Sequence, residues 1–251
     1  MRVLQANCAR ALAACQAALE AALEMDVGVV CLQEPHLGKR CQKFTHGAFQ
    51  IRWPELPPGD QHQIRVALAI RRDLLENYIW EERTDLVQHS HVQVLDIWEL
   101  TDKREKQRRT RVVNVYDQNI RVEGRSTRPV REVQWGQILN GRVILLGDFN
   151  AKSPSWDPQG RSENANDLEG IIEGFNLILN NDTTVFTREQ GNNKSVIDLT
   201  FTTPSLGVLE SWAILDKAQI PSDHKAIISE YREAQFKLAR EAQKERGKVT
   251  G

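Results

Sequence analysis

The chain contains no run of about 18 apolar residues, and Met1 to Cys8 lacks the long apolar segment of a secretory leader. A membrane span and an export signal are therefore not expected. Cysteine is scarce too: Cys8, Cys15, Cys31 and Cys41 lie early in the 251 residues without a repeated metal-binding spacing. Cys8 and Cys31 read as small residues near core strands, which fits a reducing compartment. A charge excess is also missing, because 33 Lys and Arg face 34 Asp and Glu for a formal net charge of -1. Bulk charge thus implies no nucleic-acid partner, and such a partner would need a local basic surface. No internal repeat is evident.

What is present describes a folded domain. Hydrophobic residues make up 40% and charged residues 27%, an ordinary globular mixture, and the length favours one large domain. Strand candidates are Arg2 to Ala6, Val27 to Gln33, Ala67 to Arg71, Val92 to Leu100, Val112 to Tyr116, Arg142 to Leu146, Val196 to Phe201 and Ala226 to Glu230. Helices are expected over Ala11 to Glu24, Val130 to Leu139 and Asn166 to Glu173. The alternation favours an α/β sandwich over a helical bundle. The charged tract after Tyr231, residues 232–251, reads as a helical or flexible extension of a folded unit spanning 1–231.

Compact polar groups collect where the apolar strands end. Asn7 follows the first strand, Gln33 and Glu34 close the second, and Gly147-Asp148-Phe149-Asn150 follows the aliphatic run Arg142 to Leu146. Later come Ser195-Val196-Ile197-Asp198 and Ser222-Asp223-His224. Together, carboxylates, amides and an imidazole can hold a hard divalent ion, bind phosphate oxygens and position water. Taken singly they have plainer readings: Asn7 as a cap, Glu34 as a loop acid, Asp148 and Asn150 as turn residues. Asp198 is harder to explain that way, because it interrupts the β-rich Val196 to Phe201 and needs solvent or a partner.

These motifs, in this order, resemble the endonuclease/exonuclease/phosphatase superfamily: Asn7, Gln33-Glu34-Pro35, Val115-Tyr116, Gly147-Asp148-Phe149-Asn150-Ala151 and Ser222-Asp223-His224. The resemblance covers Arg2 to Tyr231. It implies a four-layer α/β sandwich, two central mixed β-sheets flanked by helices. Ser155-Trp156, the segment Asn166 to Asn180, Phe186-Thr187 and Ser195 to Phe201 narrow it to the apurinic-type endonuclease domain of non-LTR retrotransposons. Two departures stand out: Ala9 where repair-type relatives carry an acid, and Lys152-Ser153 where retroelement relatives carry histidines.

The resemblance implies a metal-dependent nuclease that nicks double-stranded DNA and leaves a 3'-hydroxyl. Its Mg2+, with Mn2+ as a substitute, would sit on Asn7, Glu34 and Asp223. Asp148 would activate water, Asn150 would hold water or a phosphate oxygen, Asp198 would align His224, and Tyr116 would donate to phosphate. DNA contacts are expected from Asn119, Lys152 and Trp156. A further footprint is expected from Arg108, Arg109 and Arg111, within the basic series that also includes Lys103, Arg104 and Lys106. For Trp156 the competing reading is packing of its own loop, and for the basic series it is a solvated hairpin tip. The remaining expectations are a reverse transcriptase domain in the same longer polyprotein, no membrane partner, and a nuclear or other DNA-containing compartment. A repair-type apurinic or structure-selective endonuclease and a noncatalytic nucleic-acid-binding domain are the alternatives.

Overall fold

The computed structural model describes residues 1–39, 42–60, 62–76, 78–100, 106–122, 124–206, 208–215 and 220–232. The expected extension after Tyr231, as well as Lys103 and Arg104, lies outside the described residues apart from Arg232.

Sheet 1 is built from β1 (Arg2–Asn7), β2 (Val29–Gln33), β3 (Phe49–Arg52), β4 (Val66–Arg71), β15 (Val208–Ile214) and β16 (Ile227–Arg232). Sheet 2 is built from β5 (Tyr78–Glu82), β6 (Val92–Leu100), β7 (Lys106–Tyr116), β10 (Val143–Asp148), β11 (Ile178–Leu179) and β14 (Asp198–Thr202). Their orders are β15-β16-β1-β2-β4-β3 and β11-β14-β10-β7-β6-β5. In each sheet one parallel pair, β1 with β2 or β7 with β10, is flanked by antiparallel neighbours. Two hairpins stand apart: β8 (Ile120–Val122) with β9 (Arg125–Thr127), and β12 (Arg188–Gln190) with β13 (Asn193–Ser195). The helices are α1 (Leu12–Glu24), α2 (Pro129–Glu132), α3 (Trp135–Ile138) and α4 (Ala165–Gly174).

Strand alternation sorts the side chains into layers. Leu4 and Ala6 of β1 and Val30 and Leu32 of β2 face outward and pack with Ala14, Ala18 and Leu19 of α1. Val3, Val29, Cys31, Leu68 and Ile70 face inward and meet Leu95, Ile97, Val112, Ile144 and Leu146 of sheet 2. On the far side of sheet 2, Val113, Val115, Val143, Leu145, Leu199 and Phe201 pack against Val130, Trp135, Ile138 and Leu168. This is the expected four-layer sandwich. The helix expected over Val130 to Leu139 divides into α2 and α3, because Val133 is extended at φ -78 and ψ 138. Among the described residues, no helix is long and apolar enough to cross a membrane. Cys8, Cys15 and Cys31 are free and buried.

The interior between the sheets changes character along the strands. Past the aliphatic layer, Gln33 Nε2 donates to Asn114 Oδ1 at 2.6 Å, and Asn114 Nδ2 donates to the Leu32 and Ala67 carbonyls. One step further, at the C-terminal ends of β1, β2, β7 and β10, stand Asn7, Glu34, Tyr116 and Asp148. At that level β10 runs so close to β7 that a Cβ on Gly147 would lie 1.9 Å from the Val115 carbonyl oxygen. With φ at 151° as well, only glycine fits there.

Candidate active site

The site follows from register. Asp148 is paired with Tyr116 on one side and with Asp198 on the other, so the three side chains form a row on the inner face of sheet 2. Asn7 of sheet 1 faces that row and donates from Nδ2 to Asp148 Oδ2 at 2.9 Å, while its Oδ1 accepts from the Ala9 N–H. Asp148 Oδ1 accepts the backbone N–H of Asn150 at 3.0 Å, a turn that sets Asn150 at φ 47. Ala9, Arg10, Glu34 and Asn150, four residues lining this end of the sandwich, all have positive φ without being glycine. Such conformations are costly and cluster where geometry is held for a purpose.

His224 comes from the loop before β16, and its Nδ1 lies 2.8 and 3.0 Å from the two Asp198 oxygens. Its Nε2 lies 3.9 Å from Asp148 Oδ2. Ser222 ties this loop to the end of β1, because its hydroxyl donates to the Asn7 carbonyl and accepts the His224 N–H. Thr187 fixes the partner strand by accepting the Ile197 and Asp198 N–H groups at 3.0 Å each. Ser222 and Thr187 are positioning residues that sequence reading did not assign, although both sit inside motifs it marked.

Burial and neighbouring charges tune the ionisable groups of the site. Burial first, then the Asp198 charge, push Asp148 up to about 7, against the opposing pull of His224 and its hydrogen bonds. For His224, burial favours the neutral ring, but the Asp198 charge and hydrogen bond outweigh it and raise the group to about 9. At neutral pH the site therefore offers a cationic imidazole beside a carboxylate able to take a proton. Burial, together with the Glu34 and Asp148 charges, raises the Tyr116 hydroxyl well above its ordinary value, so it remains a donor.

Three buried ligating groups, Asp148, Asp198 and His224, have atoms within 4.8 Å of one another and make a cluster that can hold a divalent ion. This differs from the set expected from sequence, Asn7, Glu34 and Asp223. Chemistry weighs against the histidine, because a protonated ring with Nδ1 given to Asp198 has no lone pair for a metal. The oxygens of Asn7, Asp148, Glu34 and Asp223 line the same end and suit a hard cation. Glu34 Oε1 is held by Arg10, with Nε at 3.1 Å and Nη2 at 3.0 Å, and by Arg65 Nη1 at 3.1 Å. Asp223 pairs with Arg188 Nε at 2.9 Å. Although burial pushes Asp223 up, the Arg188 hydrogen bond and the His224 charge hold it below the usual carboxylate value.

The expected DNA contacts divide. Asn119 is exposed and accepts from Arg128, and Lys152 is half-buried in the loop after Asp148. Trp156, expected to stack on a base, is instead 1% exposed: it packs under the loop and donates from Nε1 to the Ala151 carbonyl at 3.0 Å. The Arg108 to Arg111 footprint is displaced as well. Arg109 lies seven residues before Tyr116 on β7, roughly 23 Å away at strand rise, towards the opposite end of the sandwich. Arg111 is 1% exposed, bonded by Nε and Nη2 to Asp96 at 2.7 and 2.9 Å, and donates to the Gln137 and Ile138 carbonyls. Arg109 donates to the Asn140 carbonyl, and Arg108 shares its end of the strand. Arg111 secures α3 to sheet 2, and Arg109 holds the turn after it.

Residues 130–228 match a family model described as Endonuclease-reverse transcriptase. No curated protein matches significantly. Among solved structures, the endonuclease domain of TRAS1, a telomere-specific non-LTR retrotransposon, superposes with a TM-score of 0.71 at 22% identity, over 92% of this chain and 97% of that one. The chain has the endonuclease/exonuclease/phosphatase fold. Within that fold it is also similar to the AP endonuclease LMAP from Leishmania major, with TM-score 0.64, 11% identity and coverage of 92% and 87%. The Xenopus laevis APE2 catalytic domain gives 0.61, 14%, 92% and 91%. The endonuclease/exonuclease/phosphatase core thus accounts for nearly all the described residues.

Proposed function

We propose that the chain is a divalent-metal-dependent DNA endonuclease that nicks double-stranded DNA, leaving a 3'-hydroxyl and a 5'-phosphate, in the service of retrotransposon integration. The observation that carries the reading is the placement of Asp148: its Oδ2 lies 2.9 Å from the Asn7 amide and 3.9 Å from an imidazole that Asp198 keeps charged. This sets a base and an acid side by side, where both can face one reacting group.

Asp148 takes a proton from the attacking water as the water oxygen bonds to phosphorus. The P–O3' bond breaks, and the 3'-oxygen leaves as a hydroxyl after gaining a proton from solvent. His224 Nε2 and the Tyr116 hydroxyl donate to phosphate oxygens whose charge grows during attack. Asn150 holds the water or a phosphate oxygen, and Asn119 and Lys152 contact the strand. Glu34, Asn7 and Asp223 would hold Mg2+, with Mn2+ as a substitute, because their donors are oxygens. When bound, the ion supplies charge neutralisation of the scissile phosphate.

Likeness to the TRAS1 domain supports the retroelement assignment, and the family description supports a reverse transcriptase in the same longer polyprotein. In this reading residues 1–231 are the catalytic unit, and the enzyme works in the nucleus or another DNA-containing compartment. A repair-type or structure-selective endonuclease is the second reading, favoured by the two AP-type neighbours and disfavoured by Ala9. The joint presence of Glu34, Asp148, Asp198 and His224 counts against a noncatalytic binding domain. The test compares supercoiled plasmid, a matched duplex and an abasic duplex, with Mg2+ present or chelated. Metal-dependent conversion of plasmid to open circles supports nicking. Cleavage of the abasic duplex alone favours the second reading, and binding without turnover overturns both.

A further inference from the structure

Two guanidinium groups converge on one carboxylate at the edge of the site. Arg10 and Arg65 both bond Glu34 Oε1, at distances between 3.0 and 3.1 Å. One negative charge thus serves two positive ones. Elsewhere at this end Arg188 pairs with Asp223, and Lys225 pairs with Glu189 at 2.7 Å, a carboxylate that also lies 3.9 Å from Lys194. Arg65 is the unusual member. Its side chain is only 12% exposed, and its Nε is buried without a hydrogen-bond partner. Burial, followed by the Arg10 charge, lowers its pKa from the ordinary value.

An incompletely satisfied buried cation costs free energy, and another anion would relieve it. The position is rigid. The Arg65 N–H donates to the Ser90 carbonyl at 2.7 Å, and its carbonyl accepts the Glu34 N–H at 2.8 Å. Arg65 is thereby fixed between the end of β2 and the segment leading into β6, next to the Tyr116 hydroxyl that borders the site. Arg10 is held by its backbone too, its N–H donating to the Glu34 carbonyl at 2.8 Å, while its side chain is 52% exposed. The pair combines an interior anchor with an arm that reaches solvent.

We propose that Arg65 and Arg10 form a phosphate-holding subsite on the Glu34–Tyr116 flank of the cleft, which grips the backbone of the DNA strand beside the scissile position. The assignment rests on the reading that DNA is the substrate. Guanidinium suits this task because its planar fork matches two phosphate oxygens and it stays charged at every working pH.

The test is fluorescence anisotropy of a short labelled DNA duplex with the full chain, metal chelated, over a series of salt concentrations, for parent, R65Q, R65K and R10Q. R65Q is expected to weaken binding about tenfold. It should also reduce the magnitude of the log affinity against log salt slope by about 0.9, the signature of one lost phosphate contact. R65K should restore the slope and part of the affinity, which a merely structural role would not produce. R10Q, altered at a half-exposed side chain, should lose several-fold and cover the case in which R65Q fails to fold. Parent affinity and slope in folded R10Q and R65Q would overturn the subsite. Plasmid nicking by the parent separates the two claims. A parent that nicks while all variants bind as it does sinks only the subsite, whereas an arginine-dependent slope in a parent that never nicks sinks only the hydrolytic reading.

Discussion

Asp198 and His224 form a closed pair at the floor of the site, with Nδ1 2.8 Å from one carboxylate oxygen and 3.0 Å from the other. Both groups are buried, and the Asp198 carboxylate raises the ring's pKa. D198N would leave the ring in place but remove the charge that raises it. The expected result is a single-turnover nicking rate down at least tenfold at unchanged DNA affinity, with H224A down about 100-fold through loss of a phosphate donor. Near-parent rates in both variants would remove the pair from the mechanism.

Glu34 tests the metal assignment. E34Q keeps the shape and one oxygen but loses the charge that a hard cation prefers. The Mg2+ concentration giving half-maximal nicking should rise at least tenfold, with the fold intact by circular dichroism. Superimposable titration curves for E34Q and parent would place the ion elsewhere.

Much of this site was legible because its residues follow apolar strands, and such runs announce where the chain leaves the core. Asn7, Glu34 and Asp148 are found that way and Tyr116 through the family resemblance, and the fold brings their strand ends together. Arg111 was misread although a signal existed: counted back from Val115 and Val113, strand alternation puts it on the α3-facing side of β7. Trp156 carried no such signal, since a loop has no periodicity and burial there depends on α4 and the neighbouring strand. Arg65 was missed for a different reason. A single arginine before a strand looks ordinary, and its pairing with Glu34 exists only after β2 and β4 are joined.

Trp156 now makes a stability prediction in place of a binding one. Its ring is buried with the core behind sheet 2, and its Nε1 donates to Ala151, so W156A should cost about 3–5 kcal/mol. Chemical denaturation measures this directly. A variant of parent stability with weakened DNA binding would restore the stacking role.

His91 couples pH to stability away from the acidic cluster. Its ring stacks on Tyr116 at 6.0 Å and an interplanar angle of 17°, and bonds Ser90 and Gln118. Burial first, then the neighbouring His89 and Arg65 charges, lower it to about 3. Between that value and its unfolded value near 6.5, the unfolded chain binds the extra proton. Stability from this group is therefore complete above about 6.5 and lost as pH falls towards 3. Denaturation of parent and H91Q between neutral pH and about pH 5 should show a shallower decline in the variant. Equal slopes would mean that His91 does not carry the effect.

Asp148 provides the most demanding separation of binding from chemistry. D148N preserves an oxygen for the Asn150 N–H, so the turn should persist, although its amide N–H faces the Asn7 donor and that one hydrogen bond is lost. It removes the basicity needed to take a proton from water, a function worth about 100- to 10,000-fold in rate. It also removes a buried negative charge facing the incoming phosphate, so DNA affinity should hold or rise. The decisive measurement is single-turnover nicking under saturating DNA and Mg2+, with affinity and fold determined separately. A large loss of rate with affinity retained assigns Asp148 to water activation. Should D148N cleave at nearly the parent rate, the proton must go elsewhere, and the raised Asp148 value would then report burial beside Asp198 rather than a tuned base.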